Sequence, residues 1–281
     1  MVVNKQGEMH GSIGGGIMEY KFIKLAKERM KKNTTDSLVI RQVHDKLASE
    51  QSGMICSGEQ TILLCSIKQN DTRVVQNIIS CITTNSKGNL MLSGKGIAFD
   101  SSGAFKKTTY ELSDSNEWFY AEPLKSSHNL YIIGGGHCAL CFAAVMSTMD
   151  YFITIIDDRP DLHLVNYRDV TYKSIFLREF EKISESIPSD ENTYVVIMTF
   201  GYRSDDIALR AVMNRSFRYL GVLGSKTKIR KMFEEYRKEG IPDLILNKIH
   251  APVGIMINSQ TPEEIAISIA AEIIRVRRES L

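Results

Sequence analysis

Hydrophobic positions in the second half of the chain fall into short continuous runs. Leu130-Tyr131-Ile132-Ile133, Tyr151-Phe152-Ile153-Thr154-Ile155-Ile156, Tyr194-Val195-Val196-Ile197-Met198-Thr199 and Tyr219-Leu220-Gly221-Val222-Leu223 are rich in β-branched and aromatic residues. Such runs predict strands buried on both faces, and a weaker strand is expected near Val170–Ile175. Between them lie segments of helical composition: Cys138 to Met149, rich in Ala, Leu and Met, and a charged stretch from Gly224-Ser225 to about Glu239. This alternation predicts parallel strands joined by crossover helices that cover both faces of a sheet. The last helix is well punctuated, with Thr261 as N-cap, Pro262 in the first turn and Glu264 at the third position of a capping box. From Ile265 to Ile274 it is apolar nearly all round, which predicts burial on every side. Arg275, Arg277 and Arg278 suit the C-terminal end of its dipole.

The first 120 residues read differently. Gly11-Ser12-Ile13-Gly14-Gly15-Gly16 precedes a charged helix, roughly Glu19 to Lys32. Alternating runs follow at Thr61–Leu64 and Asn89–Leu92, with turns at Ser86-Lys87-Gly88 and Ser93–Gly96. The polar stretches Ser113–Glu117 and Lys125–Asn129 are expected to link the two parts. The expected fold class is therefore α/β: a small N-terminal α+β domain over 1–124, then a Rossmann-like parallel-sheet domain over 125–281.

Composition narrows the function. A length of 281 residues suits two domains with their own cores. At 43% hydrophobic and 24% charged residues, a disordered tail and a disulfide-dense miniprotein are excluded. With 35 Lys+Arg against 33 Asp+Glu the net charge is +2, too small a surplus for a dedicated nucleic-acid binder. The five Cys are an odd number without repeated spacing and read as reduced thiols of a cytoplasmic protein. Met1 to His10 lacks the apolar stretch of a signal peptide. Ser126 to Met149 carries no Asp, Glu, Lys or Arg over 24 residues, long enough for a bilayer. Gly134-Gly135-Gly136-His137 breaks it in the middle, and such a break within lipid leaves backbone groups unpaired. A buried strand, glycine turn and helix need no charge either, so no membrane partner is expected.

Gly134-Gly135-Gly136-His137-Cys138-Ala139 fits the relaxed G-x-G-x-x-G/A pattern between a strand and a helix. There, glycines let the backbone approach a pyrophosphate lying on the helix N-terminus. The matching acid should end the next strand, and Asp157-Asp158 does so, suited to a ribose hydroxyl. The alternative is a Rossmann-like domain whose nucleotide site is vestigial or takes another ligand. His137 either faces the ligand or helps to cap the helix. Cys138 and Cys141, on one helix with no second ligand pair nearby, read as small core residues. Gly14-Gly15-Gly16 with Glu19 suits an anion or a close-packed turn. Cys56 is a thiol just before a glycine and a strand, either functional or packed. Gly224, Ser225 and Lys226 open a helix after a strand and are candidate phosphate ligands, whereas Lys228 and Arg230 read as its solvated face. Thr199 and Asp205 end the strongest strand, where a parallel sheet offers its ligand crevice. His250-Ala251-Pro252-Val253-Gly254 reads as a structural loop, and no Ser-His-Asp set, zinc cluster or Walker A loop is evident.

Taken in order, these segments resemble the xanthine dehydrogenase accessory factor family (XdhC/CoxI) over nearly the whole chain. The carriers are Gly11–Gly16 with Glu19, Gly53-Met54-Ile55-Cys56, Gly134–His137, Asp157-Asp158-Arg159-Pro160, Gly221–Lys226, His250–Gly254, Thr261–Ala266 and Ala271–Ile274. The resemblance implies a chaperone that binds molybdenum cofactor (molybdopterin), protects it during terminal sulfuration and delivers it to an apo molybdenum hydroxylase. It also implies a cysteine desulfurase-type sulfur donor as partner, is compatible with a homodimer, and makes Cys56 the candidate contact for metal or sulfur. The alternative from the residues themselves is an NAD(H)-dependent oxidoreductase, or a nucleotide-binding sensor, using the Rossmann-like domain. Three departures stand out. Family members usually begin with a strand and a G-S-x-P-R-like segment, and Met1 starts too late to include it. Cys56 is followed by Ser57-Gly58 where the family often has two glycines, and Thr199-Phe200 stands where many members carry a Thr-His pair.

Overall fold

The computed structural model describes residues 1–43, 59–113, 117–125, 128–160, 170 and 172–279. Contacts divide the chain into two units, Met1–Lys125 and Ser126–Leu281.

In the first unit, β1 (Val2–Val3) and β2 (Met9–His10) form a short antiparallel ladder, followed by α1 (Gly16–Lys31). The antiparallel pair β3 (Leu38–Val43) and β4 (Glu59–Leu64) comes next, then α2 (Thr72–Thr84). The remaining strands are β5 (Asn89–Ser93), β6 (Gly96–Asp100), β7 (Thr109–Leu112) and β8 (Trp118–Pro123), an antiparallel sheet in the order β6-β5-β8-β7. Met18 and Phe22 of α1 pack with Ile62 of β4 in a small core. Ser113–Glu117 is not a linker: it joins β7 to β8, with the Ser113 N–H donating to Glu117 O at 2.8 Å.

In the second unit the apolar runs become one sheet. Its elements are β9 (His128–Ile133), α3 (His137–Met146), β10 (Tyr151–Asp157), β11 (Lys173–Phe176), β12 (Thr193–Ile197), α4 (Tyr202–Val212) and β13 (Tyr219–Val222). After these come α5 (Lys226–Lys238), α6 (Asp243–Leu246) and α7 (Pro262–Arg278). All five strands are parallel, in the order β11-β10-β9-β12-β13, so the expected Rossmann-like sheet is present. Successive strand residues point to opposite faces, and both faces are covered. Leu130 and Ile132 belong to a core with Phe142, Met146, Ile269 and Ile273 from α3 and α7. Ile133, Val195 and Ile197 share the other core with Leu209 of α4 and Met232 of α5.

The N-terminus of α7 forms as expected: the Glu264 N–H donates to Thr261 Oγ1 at 3.3 Å, and the Thr261 N–H donates to Glu264 Oε2 at 3.1 Å. Its burial differs. Ile267 and Ile274 are 54% and 37% exposed, while Glu272 is only 6% exposed. One flank of α7 lies on α3, so the isoleucines one heptad apart on the other flank stay in solvent. Among the described residues no helix is long and apolar enough to cross a membrane.

Candidate functional site

In an open parallel sheet the ligand crevice lies at the carboxyl ends of the strands, where the strand order reverses. Here that point is between β9 and β12. The chain leaves β9 through Gly134, whose φ of +101° is left-handed. A Cβ there would sit 2.5 Å from Met198 O and 2.7 Å from the Thr199 Cα, so only glycine allows the two strand ends to meet. Gly136 is the N-cap of α3 at an ordinary φ of −73°, and a Cβ there would meet nothing within 4 Å. The resulting cavity holds about 540 Å³. Residues 134–139, Asp157 to Arg159, Phe180, Met198, Thr199, Phe200, Ser204 and Leu223 line it. Both α3 and α4 present first-turn residues to it, and first-turn N–H groups have no intrahelical acceptor.

Asp157, the last residue of β10, is 3% exposed. Its Oδ2 accepts the Gly135 N–H at 2.6 Å and Arg159 Nη2 at 2.9 Å. Its Oδ1 accepts the Arg159 N–H at 2.9 Å and Nε at 2.6 Å. Four donors fill the carboxylate's acceptor capacity. Burial alone would raise its pKa, but the Arg159 side chain and the two backbone N–H groups outweigh that and hold it below the usual carboxylate value. Asp157 thus clamps the glycine turn, and a ribose hydroxyl reaching it must displace a donor. Asp158, also on the cavity wall, is exposed.

A second buried carboxylate braces the opposite wall. Asp205 Oδ1 accepts the Thr199 N–H at 2.9 Å and its hydroxyl at 2.6 Å, and Oδ2 pairs with Lys228 Nζ. Lys228 Nζ also donates to Leu223 O at 3.0 Å. Lys228 is therefore not part of a solvated face, because the fully buried Asp205 requires a cation. Nothing in the spacing around Lys228 signals this. Arg230 does remain in solvent, 3.9 Å from Glu234.

The described candidates of the first unit and those at the start of α5 do not line the cavity that gathers the rest. Gly134, Gly136, His137, Asp157, Asp158 and Thr199 share the cavity, with His137 exposed as the first residue of α3. Gly224, Ser225 and Lys226 do not line it; Ser225 Oγ accepts the Lys228 N–H at 3.2 Å and caps α5. In the first unit, Gly14, Gly15 and Gly16 have φ of +119°, +75° and +68° and curl around the Glu19 carboxylate. Ser12 Oγ at 2.7 Å, the Ile13 N–H at 3.2 Å and the Gly15 N–H at 2.9 Å all donate to Glu19 Oε2 and lower its pKa. The protein's own carboxylate occupies that turn. Cys56 lies outside the described residues. Cys138 lines the cavity, and Cys141 is buried with its Sγ 3.9 Å from Glu263 Oε1. Among the described residues no group of three His, Cys, Asp or Glu is placed to hold a metal. The His250 loop is fastened to α7 by Glu272, which accepts the Tyr219 hydroxyl at 2.6 Å and the Gly254 N–H at 2.8 Å.

Residues 130–273, just over half of the chain, match the family model described as XdhC Rossmann domain. The uncharacterized protein YqeB of Escherichia coli K12 is 28% identical over 152 residues, which are 54% of this chain and 28% of that protein. A protein of Bacillus subtilis 168, described as a probable xanthine dehydrogenase subunit, is 29% identical over 83 residues, 30% of this chain and 23% of that protein. The chain thus spans less than a third of the length of these curated relatives. A Bacillus halodurans crystal structure, described as a xanthine dehydrogenase, aligns over 99% of this chain and 86% of that one. The TM-score is 0.67 at 21% identity, a likeness of fold.

Proposed function

Because this chain belongs to the XdhC Rossmann domain family, we propose that it serves the maturation of a xanthine dehydrogenase-type molybdenum hydroxylase. In this reading it binds molybdenum cofactor as cargo and hands it, after sulfuration, to the apo-enzyme. The observation that carries the reading is the cavity at the reversal of strand order, floored by a clamped glycine turn and reached by the amino end of α3. A pterin phosphate suits it on three counts. Its phosphate can accept the first-turn N–H groups of a ten-residue helix. Its flat ring system needs the space that Gly136, whose Cβ direction is open, leaves clear on the cavity wall. The volume falls in the range of about 300–1,000 Å³ typical of small-molecule sites.

Residues of this chain bind and orient the cargo. Asp157 fixes the Gly135 N–H and so the direction of the turn, and Asp205 fixes Thr199 on the other wall. Cys56 is the proposed soft ligand for metal or terminal sulfur. A cysteine desulfurase-type protein is the proposed sulfur donor. The role is one of binding and handover rather than turnover.

The test is activation of an apo-hydroxylase. Full chain loaded with molybdenum cofactor, freed of excess, is mixed with an apo molybdenum hydroxylase and the appearance of activity is followed. Activity that rises as pterin leaves the chain is the expected result; no activation above that by free cofactor overturns it. A parallel NADH fluorescence titration tests the competing dinucleotide reading. Tight NADH binding that Asp157→Ala abolishes would favour an oxidoreductase instead.

A further inference from the structure

Phe200 lines the cavity but is fully exposed. Its neighbours have structural duties: Thr199 gives its N–H and hydroxyl to Asp205, and Gly201 is the N-cap of α4. Phe200 belongs to neither hydrophobic core of its unit. The backbone on both sides is anchored, so the fold places Phe200 at the cavity wall and leaves its ring in solvent. Gly136, on the same cavity wall, has an open Cβ direction and adds no side-chain bulk.

We infer that Phe200 is a stacking platform for a flat heteroaromatic ring, and that it gives the cavity its preference for a ring-bearing phosphate over a plain sugar phosphate. This rests on the reading that the cavity takes a pterin phosphate. A phenyl face offers dispersion and quadrupole contacts to a flat ring, and the amino end of α3 takes the phosphate. Because the ring is fully exposed among the described residues, its removal costs the fold little, and binding and stability separate cleanly.

The experiment measures binding of neopterin phosphate and of ribose 5-phosphate to the full chain and to Phe200→Ala, Phe200→Tyr and Phe200→Trp. The expected result for Phe200→Ala is roughly tenfold weaker neopterin phosphate binding, the scale of one lost aromatic stack. Ribose 5-phosphate binding and the thermal midpoint stay at wild-type values, and Tyr and Trp restore the pterin affinity. Wild-type-like neopterin phosphate binding by Phe200→Ala overturns the stacking role while leaving the cofactor reading intact. Equal loss for both probes, or a lowered thermal midpoint, assigns Phe200 a structural role and also overturns it. If the wild-type chain binds no neopterin phosphate, the cofactor reading and the stacking role fall together.

Discussion

Replacing Glu272 by Gln removes one charge from the buried face of α7 while keeping the size of the side chain. Its Oε2 accepts the Tyr219 hydroxyl and the Gly254 N–H, and its Oε1 lies 3.6 Å from His250 Nδ1 and 3.3 Å from Arg275 Nη2. Burial pushes this carboxyl up, but His250, Tyr219 and the Gly254 N–H together bring it from 4.5 down to about 2. At about 1.4 kcal/mol per pKa unit, the folded state favours the charged form by about 3 kcal/mol. The folded value lies below the unfolded one. The stabilisation is therefore complete above pH of about 4.5 and is lost as the pH falls toward 2. Urea denaturation of the full chain, followed by far-ultraviolet circular dichroism, reads this directly. Glu272→Gln is expected to lose about 3 kcal/mol at pH 7, and the gap should narrow by about 2 kcal/mol at pH 3, where the carboxyl of the unfolded wild type is protonated while that of the folded state still holds most of its charge. An equal gap at both pH values would refute the charge-based account of the His250 loop.

Gly134→Ala places a methyl 2.5 Å from Met198 O at φ +101°, and a loss of about 3 kcal/mol is expected in the same urea assay. Lys228→Met leaves Asp205 charged and buried, which should cost about 3–5 kcal/mol; a smaller loss in Asp205→Asn/Lys228→Met than in Lys228→Met identifies the ion pair as the cause. Asp157→Ala releases Gly135 and Arg159 together, so stability should fall by about 2 kcal/mol and retained pterin should drop with it; unchanged melting contradicts the clamp.

The elements legible in the sequence are those whose residues act locally. Leu130–Ile133 and Tyr194–Ile197 read as strands because burial on both faces of a parallel sheet demands continuous apolar runs. Thr261 and Glu264 read as a capping box because both partners lie within one turn. α2 was hidden by its Val, Ile and Thr residues, which lower helix propensity, although Asn85 in the left-handed region ends it. α4 was hidden by its polar first turn, Tyr202-Arg203-Ser204-Asp205-Asp206. In the site, the glycine turn and Asp157 were visible as a motif, but the clamp depends on Arg159 folding back two residues. The Asp205–Lys228 pair joins residues 23 apart in sequence, and Glu272 reaches Tyr219 across 53, so no local pattern announces either. Ile265–Ile274 misled because apolar composition does not say which flank of α7 meets α3.

Gly136 offers the most direct test of the central claim. Its backbone is ordinary and its Cβ direction is open, so Gly136→Leu adds bulk on the cavity wall with little strain on the fold. Full chain is incubated with molybdenum cofactor released from a purified molybdoenzyme, passed through a desalting column, and assayed for retained pterin. Saturable retention near one pterin per wild-type chain is expected, with its loss in Gly136→Leu while the thermal midpoint shifts by only a few degrees. No saturable retention by the wild type, or equal retention by Gly136→Leu, would contradict the assignment of this cavity to the cofactor.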